Sequence, residues 1–439
     1  MRIGLFADTY RPSINGIVFV VESTKKHLED LGHEVFVFCP ARSIRPSKHA
    51  VEFDEDEHIV RFPSIKGAFY DDYDTSLFFP PRVLRQVREL ELDVIHIFTP
   101  GQVGMMGIFA AMKTDTPLIA QHSTDLREYV EHYKDGTLLP GLLALVALMP
   151  FTVKVNGKDM REIMKIYRPR RGRVEWNIDI VERIVTLVYS KCDAVIGLSR
   201  KSKKQLESWQ HEENYKYEVT LKPDGVNALP TPTAQEMKDF RKEWGIAPTD
   251  QLVTFVGRLG SEKNLDMLIP VIEKVVRECP KARLLFVGDF EYRPTLERKA
   301  AECGASDRIT FTGALPRESL GTVYGTSDIF AFPSLTDTQA WVLHESTHAG
   351  LPVVMIDPIL SEVVRDGENG YIVENSVDAF AGAVIDLLKH PKKRREFGET
   401  SKALAKKYTE ARQIKKLEKI YQGAIMDHQA KRQVLEREY

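Results

Sequence analysis

Short runs of β-branched residues alternate with amphipathic stretches along the whole chain, and this alternation limits the fold more than any other feature of the sequence. Apolar runs of four to eight residues are typical of buried strands, and apolar residues at every third or fourth position are typical of helices. Strands that alternate with helices form parallel sheets covered by helices. The sequence therefore predicts an α/β fold. The expected strands form two sets, at residues 3–7, 34–39, 93–98, 117–121, 194–198 and 218–221, and at 252–256, 283–287, 309–312, 329–332, 352–356 and 371–373.

A segment rich in proline separates the two sets of strands. Residues 222–232 contain three prolines and the turn-forming pair Asp224-Gly225, which together indicate a linker. A chain of 439 residues also has the length of two domains of roughly 200 residues each. Apolar residues at helical spacing between 414 and 425 predict a final amphipathic helix packed on another part of the protein. The predicted domains are 1–226 and 227–410, followed by the C-terminal helix 411–439.

The composition excludes several classes of protein. A formal net charge of −2 is not that of a chain built as a whole to coat nucleic acid. The four cysteines have no C-x-x-C pair among them, so they predict neither a zinc site nor a disulfide framework but thiols in a reducing compartment. The N-terminus does not resemble a secretory signal. The longest apolar stretch, 138–151, is shorter than the about 20 residues of a membrane-spanning helix, so we expect a cytoplasmic protein.

A glycine turn after the strand at 252–256 predicts an anion site. Gly257-Arg258-Leu259-Gly260 is followed by Lys263 and then by apolar residues at helical spacing. Backbone N–H groups, the helix dipole and the charges of Arg258 and Lys263 would converge there and could hold a diphosphate. The alternative is a solvated turn with incidental charges.

Two carboxylates follow the strand at 329–332. Asp337 and Glu345 stand eight positions apart, with a loop and the start of a helix between them. This segment resembles the E-x7-E motif of family four, a large family of retaining glycosyltransferases with the GT-B fold. Gly257-Arg258 with Glu262-Lys263-Asn264 resembles that family's G-R-x-x-x-E-K-N motif, 365–370 its D-G-x-N-G turn, and 12–17 its glycine loop near the donor phosphate.

The resemblance covers nearly the whole chain and implies a fold and an activity. The implied fold has two Rossmann-like domains that face each other across a cleft, with the C-terminal helix returning to the N-terminal domain. The N-terminal domain would bind the acceptor and the C-terminal domain the nucleotide sugar. The implied reaction transfers a sugar with retention at the anomeric carbon. No D-x-D pair stands at a predicted strand end to chelate a cation, so we expect neither a metal ion nor a cofactor.

The resemblance also implies a role for individual residues. Three of them depart from the family's pattern: Asp337 stands where glutamate is usual, Ala340 where glycine is common, and Asp224 where asparagine is usual. A lone histidine is more often structural than functional, and this reading of His122 stays open. The implied roles are diphosphate binding for Arg258 and Lys263, ribose binding for Glu345, sugar binding for Asp337, amide contacts from Thr338, Gln339 and Ala340, approach to the phosphate for Gly16, and contact of the sugar with the ring or backbone of His122.

The acceptor side is predicted from the stretch 138–173. An apolar run is followed there by lysines and arginines interleaved with apolar residues, a pattern typical of a segment at the surface of an anionic membrane. The alternative is a core helix followed by a solvated loop. No aromatic stacking platform accompanies the cations, which argues against nucleic acid as a partner. Residues placed on the acceptor side are Asp125, Arg127, Tyr129 and Tyr133.

These observations predict a transferase on the inner face of the cell membrane. It would move a hexose, from UDP-glucose or a similar nucleotide diphosphate sugar, to a lipid such as diacylglycerol. Thr336-Asp337-Thr338-Gln339 resembles the T-E-T-Q form of family members that glycosylate this lipid. One alternative is a hexosyl- or mannosyltransferase that acts on phosphatidylinositol, a soluble sugar or a polysaccharide precursor. Another is an inactive scaffold that binds sugar nucleotides.

Overall fold

A computed structural model gives the architecture of the chain. It describes residues 1–13, 16–41, 56–70, 73–76, 81–125, 127, 161, 173–210 and 215–438. The chain forms two compact units: the first unit consists of residues 1–224 and 413–439, and the second unit of residues 225–412.

The first unit is built on a parallel sheet. Within its described residues the sheet has seven strands in the order β3-β2-β1-β6-β7-β8-β9, and a separate antiparallel pair is formed by β4 and β5. The central strands are buried along their whole length, which is typical of a parallel sheet covered on both faces. The strands are β1 Arg2–Phe6, β2 Glu34–Pro40, β3 Ile59–Phe62, β4 Ser64–Tyr70, β5 Tyr73–Ser76, β6 Val94–Ile97, β7 Leu118–His122, β8 Ala194–Gly197 and β9 Val219–Leu221.

Amphipathic helices connect these strands. Ser199 shows how one of them begins: its side chain accepts a hydrogen bond from the backbone N–H of Ser202, while Ser202 binds back to the N–H of Ser199. Such a capping box satisfies two backbone donors that the first turn of a helix leaves without partners. The helices are α1 Gly16–Asp30, α2 Pro81–Glu89, α3 Gln102–Thr114, α4 Arg173–Tyr189 and α5 Arg200–Ser208.

The second unit repeats this architecture with a smaller sheet. Its described strands are all parallel and lie in the order β12-β11-β10-β13-β14-β15. They are β10 Gln251–Val256, β11 Ala282–Val287, β12 Ile309–Gly313, β13 Ile329–Phe332, β14 Val353–Met355 and β15 Gly370–Ile372. The helices are α6 Ala234–Glu243, α7 Leu268–Glu278, α8 Arg293–Glu302, α9 Leu320–Thr326, α10 Trp341–Ala349, α11 Val377–Lys389 and α12 Pro391–Ala405.

The last helix, α13 (Glu410–Glu438), packs on the first unit through its residues after 412. Leu417 and Tyr421 are fully buried. The Tyr421 hydroxyl lies 2.7 Å from Nδ1 of His96, in the middle of β6. Two ion pairs add to this contact: Glu418 pairs with His33 at 3.1 Å, and His428 pairs with Asp193 at 3.1 Å. The helix therefore contributes both apolar and polar groups to the interior of the first unit.

The prediction of an α/β fold with two parallel sheets is confirmed. Each expected strand overlaps a strand of the two sheets, with ends that differ by at most one residue. The strands β3, β4 and β5 were not predicted because they are short, polar or interrupted by glycine. In the part of the chain that the structure describes, no helix is long and apolar enough to cross a membrane.

The strand order gives each sheet a switch point. Neighbouring connections leave in opposite directions where the order reverses, between β1 and β6 in the first unit and between β10 and β13 in the second. In open parallel sheets of this kind, ligands bind outside the carboxyl ends of the strands at such a switch point.

Candidate active site

The carboxyl edge of the second sheet is built from glycine turns that pack closely. Gly257 and Gly288 follow β10 and β11 with φ values of 149° and 143°. A Cβ atom on Gly288 would lie 1.9 Å from the carbonyl oxygen of Gly257, so no larger residue fits there. The Gly288 N–H donates to the carbonyl of Gly313 at 2.9 Å. The turns after β10 and β11 and the end of β12 therefore pack directly against one another at this edge.

The loop after β10 is tied to the loop after β13. Asn264, in the left-handed conformation at φ 55°, donates its side-chain amide to the carbonyl oxygen of Pro333 at 3.2 Å. Thr336 donates its hydroxyl to the carbonyl oxygen of Glu262, also at 3.2 Å. These bonds hold the two loops together on either side of the switch point.

Lys263 and Asp337 meet at this switch point. Lys263 Nζ lies 2.7 Å from Asp337 Oδ1, and the two side chains are only 13% and 18% exposed. The second carboxylate oxygen of Asp337 accepts a hydrogen bond from the hydroxyl of Ser334 at 2.6 Å. Two residues that stand 74 positions apart in the sequence are thus in direct contact, and a cation and an anion share one half-buried position.

Arg258 lies on an aromatic face beside this pair of loops. Its guanidinium carbon is 5.0 Å from the ring centroid of Phe290, and its side chain is half exposed. Arg258 Nη2 is 3.8 Å from Glu262 Oε1. Burial raises the pKa of the nearby Glu291 carboxyl, and the charge of Glu262 raises it further. Arg258 is therefore a partly solvated cation that contacts the ring of Phe290 and the carboxylate of Glu262.

The helix α10 begins next to Asp337 with an unusual residue. Ala340 has φ 59° and ψ 81°, a left-handed conformation, and within the described chain it has no side-chain cap. A non-glycine residue in this conformation costs about 1 kcal/mol, which explains why glycine is common at this place in the family. The N–H groups and dipole of a helix N-terminus favour an anion.

Thr338 and Gln339 precede this helix start. Gln339 is buried, and its Nε2 atom lies 3.3 Å from Nε2 of His344. Burial lowers the pKa of His344 to about 3, so this imidazole is neutral at physiological pH. The uncharged contact between Gln339 and His344 therefore holds this loop on the interior of the second unit.

Glu345 lies in the interior rather than at the surface. Its side chain is 2% exposed. Oε2 accepts a hydrogen bond from the hydroxyl of Tyr324 at 2.9 Å, and Oε1 lies 2.7 Å from Arg317 Nη1. Burial raises the pKa of the Glu345 carboxyl, while Arg317 and Tyr324 oppose this effect. Its predicted role in ribose binding stays a prediction.

His122 is the last residue of β7 and is fully enclosed. Its Nδ1 atom lies 3.1 Å from the hydroxyl of Tyr189, and its ring meets the rings of Tyr189 and Trp209 edge to face. Burial lowers the pKa of the imidazole. The sugar is predicted to contact either the ring or the backbone of His122. The ring packs into an aromatic cluster, whereas the backbone lies at the carboxyl end of β7.

Two models of glycosyltransferase domains match the chain. The model described as Glycosyltransferase Family 4 matches residues 14–219, and the one described as Glycosyl transferases group 1 matches residues 236–404. The chain belongs to the GT-B glycosyltransferases of family 4. Each matched region falls within one of the two units.

The transferase is similar over nearly its whole length to characterised enzymes. It is 26% identical to an alpha-monoglucosyldiacylglycerol synthase of Acholeplasma laidlawii over 438 residues, which cover 97% of this chain and 98% of that protein. It is 24% identical to a GDP-mannose-dependent alpha-mannosyltransferase of Corynebacterium glutamicum, over 89% of this chain and 82% of that one. The structure of Anabaena Alr3699/HepE in complex with UDP matches with a TM-score of 0.66 at 15% identity, over 95% of this chain and 98% of that one.

The remaining predicted positions of the transferase lie in the first unit. Gly16 begins α1 and is exposed, and a Cβ atom on it would meet no other atom within 4 Å. Asp125 is buried and accepts a hydrogen bond from Gln205 at 2.8 Å, and Arg127 pairs with Glu182 at 3.2 Å. Tyr129, Tyr133 and the stretch 138–173, except Arg161 and Arg173, lie outside the described residues.

Asp8 was missed by the sequence reasoning. It is the second residue after β1 and is buried. Its carboxylate accepts hydrogen bonds from the hydroxyl of Thr99 and, at 2.7 Å, from the N–H of Val103. Burial raises its pKa to about 6, although these hydrogen bonds oppose the change. The available signal was an acidic residue at the carboxyl end of the first strand, combined with glycines at 101 and 104.

The described residues include no group of three or more histidine, cysteine, aspartate or glutamate side chains placed to hold a metal ion. A reaction without a metal ion stays a prediction.

Proposed function

We propose that this transferase moves a hexose from a nucleoside diphosphate to a membrane lipid, with UDP-glucose as the donor and diacylglycerol as the acceptor. The reaction would retain the configuration at the anomeric carbon and use no metal ion. The contact between Lys263 and Asp337 carries this proposal. It brings a cation for the leaving diphosphate and a carboxylate for the sugar hydroxyls to one point at the switch point of the second sheet.

The positive groups at this point suit the departure of a diphosphate. When the bond from the anomeric carbon to the diphosphate breaks, negative charge builds up on the leaving oxygen. Lys263, Arg258 and the N-terminus of α10 would stabilise that charge, and preorganised groups of this kind contribute more than any other effect in many enzymes. The amides of Thr338, Gln339 and Ala340 would complete the site.

The pairing of Lys263 with Asp337 couples donor binding to sugar orientation. Without a donor, the two charges neutralise each other. A diphosphate carries more negative charge than one carboxylate, so its binding draws Lys263 toward the phosphates. Asp337 then accepts hydrogen bonds from the hydroxyls of the hexose. An empty site thus keeps both residues paired, and a filled site uses each for a different part of the donor.

The choice of acceptor rests on similarity and on sequence pattern. The Acholeplasma laidlawii relative and a Streptococcus pneumoniae relative, 25% identical over 88% of this chain and 78% of its own length, are both named alpha-monoglucosyldiacylglycerol synthase. The basic and apolar stretch 138–173 would rest on an anionic membrane surface. We therefore place the transferase at the inner face of the cell membrane.

A transfer assay tests donor and acceptor together. The protein is incubated with radiolabelled UDP-glucose, UDP-galactose or GDP-mannose and with vesicles that contain phosphatidylglycerol, with or without diacylglycerol or phosphatidylinositol. Label from UDP-glucose should enter the organic phase only when diacylglycerol is present. Label from GDP-mannose in phosphatidylinositol would support the mannosyltransferase alternative instead, and binding of donor without turnover on any acceptor would support the scaffold.

Vesicle flotation tests the membrane surface separately. The protein should float with vesicles that contain about 30% phosphatidylglycerol and remain behind with neutral vesicles, because the cations of 138–173 are attracted to anionic lipid. Raising the salt concentration should release it. Equal recovery with both kinds of vesicle would contradict an electrostatic contact.

A further inference from the structure

Arg317 forms an ion pair with the buried carboxylate of Glu345. Arg317 lies in a short turn, Arg317–Ser319, directly before α9. Its guanidinium carbon is 5.8 Å from the ring centroid of Trp341, the first residue of α10. Its side chain is 33% exposed, whereas that of Glu345 is 2% exposed. The ion pair therefore joins a partly exposed cation to a buried carboxylate.

The geometry leaves hydrogen-bonding capacity on one carboxylate oxygen. Oε2 of Glu345 accepts from the hydroxyl of Tyr324. Oε1 is 2.7 Å from Arg317 Nη1, but among the described residues it accepts no aligned hydrogen bond. A carboxylate oxygen has two lone pairs, so Oε1 can accept from a ligand while it stays beside the cation. A buried oxygen of this kind usually has a hydrogen-bond donor.

We propose that Arg317 is a positioning residue of the donor site, which orients the Glu345 carboxylate so that it accepts a hydrogen bond from the ribose of a nucleoside diphosphate. The inference rests on the proposed function and, in addition, on the predicted binding of the ribose hydroxyls by Glu345. The guanidinium lies over the ring of Trp341, and this contact fixes the side from which Arg317 holds Oε1. A charged acceptor makes stronger hydrogen bonds than a neutral carboxylic acid.

The groups around Glu345 decide the sign of its pH dependence. Tyr324, from α9, stays protonated because burial raises the pKa of its hydroxyl well above the ordinary range. On α10 itself, burial lowers the pKa of both His344 and His348, so at neutral pH neither adds a positive charge. Arg317 is then the cation that opposes the effect of burial on Glu345. Removal of Arg317 would raise the pKa of Glu345 further. As the pH falls, the variant would then lose ribose binding at a higher pH than wild type does.

Calorimetric titration with two probes tests this role. UDP and 2′-deoxy-UDP are titrated into wild type, Arg317→Gln and Arg317→Lys from about pH 8 down to about pH 5.5. Wild type should prefer UDP about tenfold at neutral pH. At the acidic end of this range, Arg317→Gln should lose most of the preference for UDP at a pH where wild type still keeps it. Arg317→Lys should keep much of this preference. Affinity for 2′-deoxy-UDP should change little, which shows that the donor site is still folded.

The outcomes separate two failures. If Arg317→Gln keeps the wild-type preference at every pH, or if wild type does not distinguish the two probes, the role of Arg317 is wrong while the proposed function stands. If wild type binds neither UDP nor GDP, the proposed function is wrong, and the inference is wrong with it.

Discussion

The two sheets of the transferase reverse their strand order at equivalent places, but different groups meet there. In the first unit the carboxylate of Asp8 accepts from the N–H of Val103, in the first turn of α3. In the second unit Lys263 and Asp337 meet beside the start of α10, where Ala340 has no side-chain cap within the described chain. The carboxylate beside the first helix N-terminus thus binds a backbone N–H of that helix, whereas the carboxylate near the second is paired with a lysine.

This difference explains why we assign the phosphates to the second unit. A helix N-terminus attracts an anion whether the anion belongs to the protein or to a ligand. In the first unit the glycines around Asp8 leave no space: a Cβ atom on Gly101 would lie 2.5 Å from the Asp8 carboxylate, and one on Gly104 would lie 1.9 Å from the carbonyl oxygen of Thr99. The same architecture therefore forms a closed structural contact in one unit and a candidate ligand site in the other.

The largest effect is expected when the cation of the second switch point is removed. Lys263→Ala should lower kcat/KM by about 10²–10³-fold, the usual cost of one preorganised group on a leaving oxygen. The fold should be kept, because Asp337 is 18% exposed and can be solvated. A matched control is Lys392→Ala, whose side chain is 92% exposed. Transfer at the wild-type rate by Lys263→Ala would contradict the role in diphosphate binding.

A substitution at the first switch point should instead lower the stability of the protein. Gly104→Ala places a Cβ atom against the backbone of Thr99, and a clash with backbone has to be relieved by moving α3. We expect a loss of about 3 kcal/mol in the free energy of unfolding, measured by urea denaturation. Gly382→Ala is the control, since a Cβ atom there meets nothing within 4 Å. Equal stability of the two variants would show that the first switch point is not tightly closed.

Asp8→Asn tests the charge at that point. The pKa of Asp8 is raised from 3.8 to about 6, so between these values the folded protein holds a proton that the unfolded chain releases. The contribution of Asp8 to stability is therefore present below about pH 4 and is lost as the pH rises to about 6, by about 2–3 kcal/mol. Asp8→Asn should lack this change in urea unfolding at about pH 4.5 and about pH 7. An unaltered slope with pH would refute the shift.

The smallest effect is expected from Ala340→Gly. Glycine adopts φ 59° without strain, which favours the variant, but it is also more flexible in the unfolded chain. We expect a gain of up to about 1 kcal/mol in stability and little change in transfer. Ala340→Val should lose more than this, because a β-branched residue is least tolerated in the left-handed region. If valine is tolerated as well as glycine, the backbone at the start of α10 is not left-handed.

The sequence predicts the sheets and the proximity of Lys263 and Asp337 well because both depend on local signals. Continuous apolar runs mark the strands, and glycine, lysine and carboxylate positions after β10 and β13 follow a family pattern. The parallel order of those strands then brings Lys263 and Asp337 together. A local sequence pattern is therefore sufficient to predict the position of charged residues that follow the end of a strand.

Contacts between distant single residues could not be predicted. Asp8 binds a backbone N–H that lies 95 positions away, and nothing near either residue announces the other. Arg317 is one cation in a loop, and its contact with Glu345 depends on how α9 packs beside α10. The left-handed backbone of Ala340 is hidden because alanine does not usually mark such a conformation.

Because the chain returns to the first unit through α13, the two units can complete their folding at different times during protein synthesis. The first unit lacks Leu417 and Tyr421, both fully buried, until residues beyond 412 have left the ribosome. The second unit is continuous from 225 to 412, so all of its strands are available earlier. We therefore expect the half that is translated first to complete its interior last, and nascent chains that stop before α13 to depend most on chaperones.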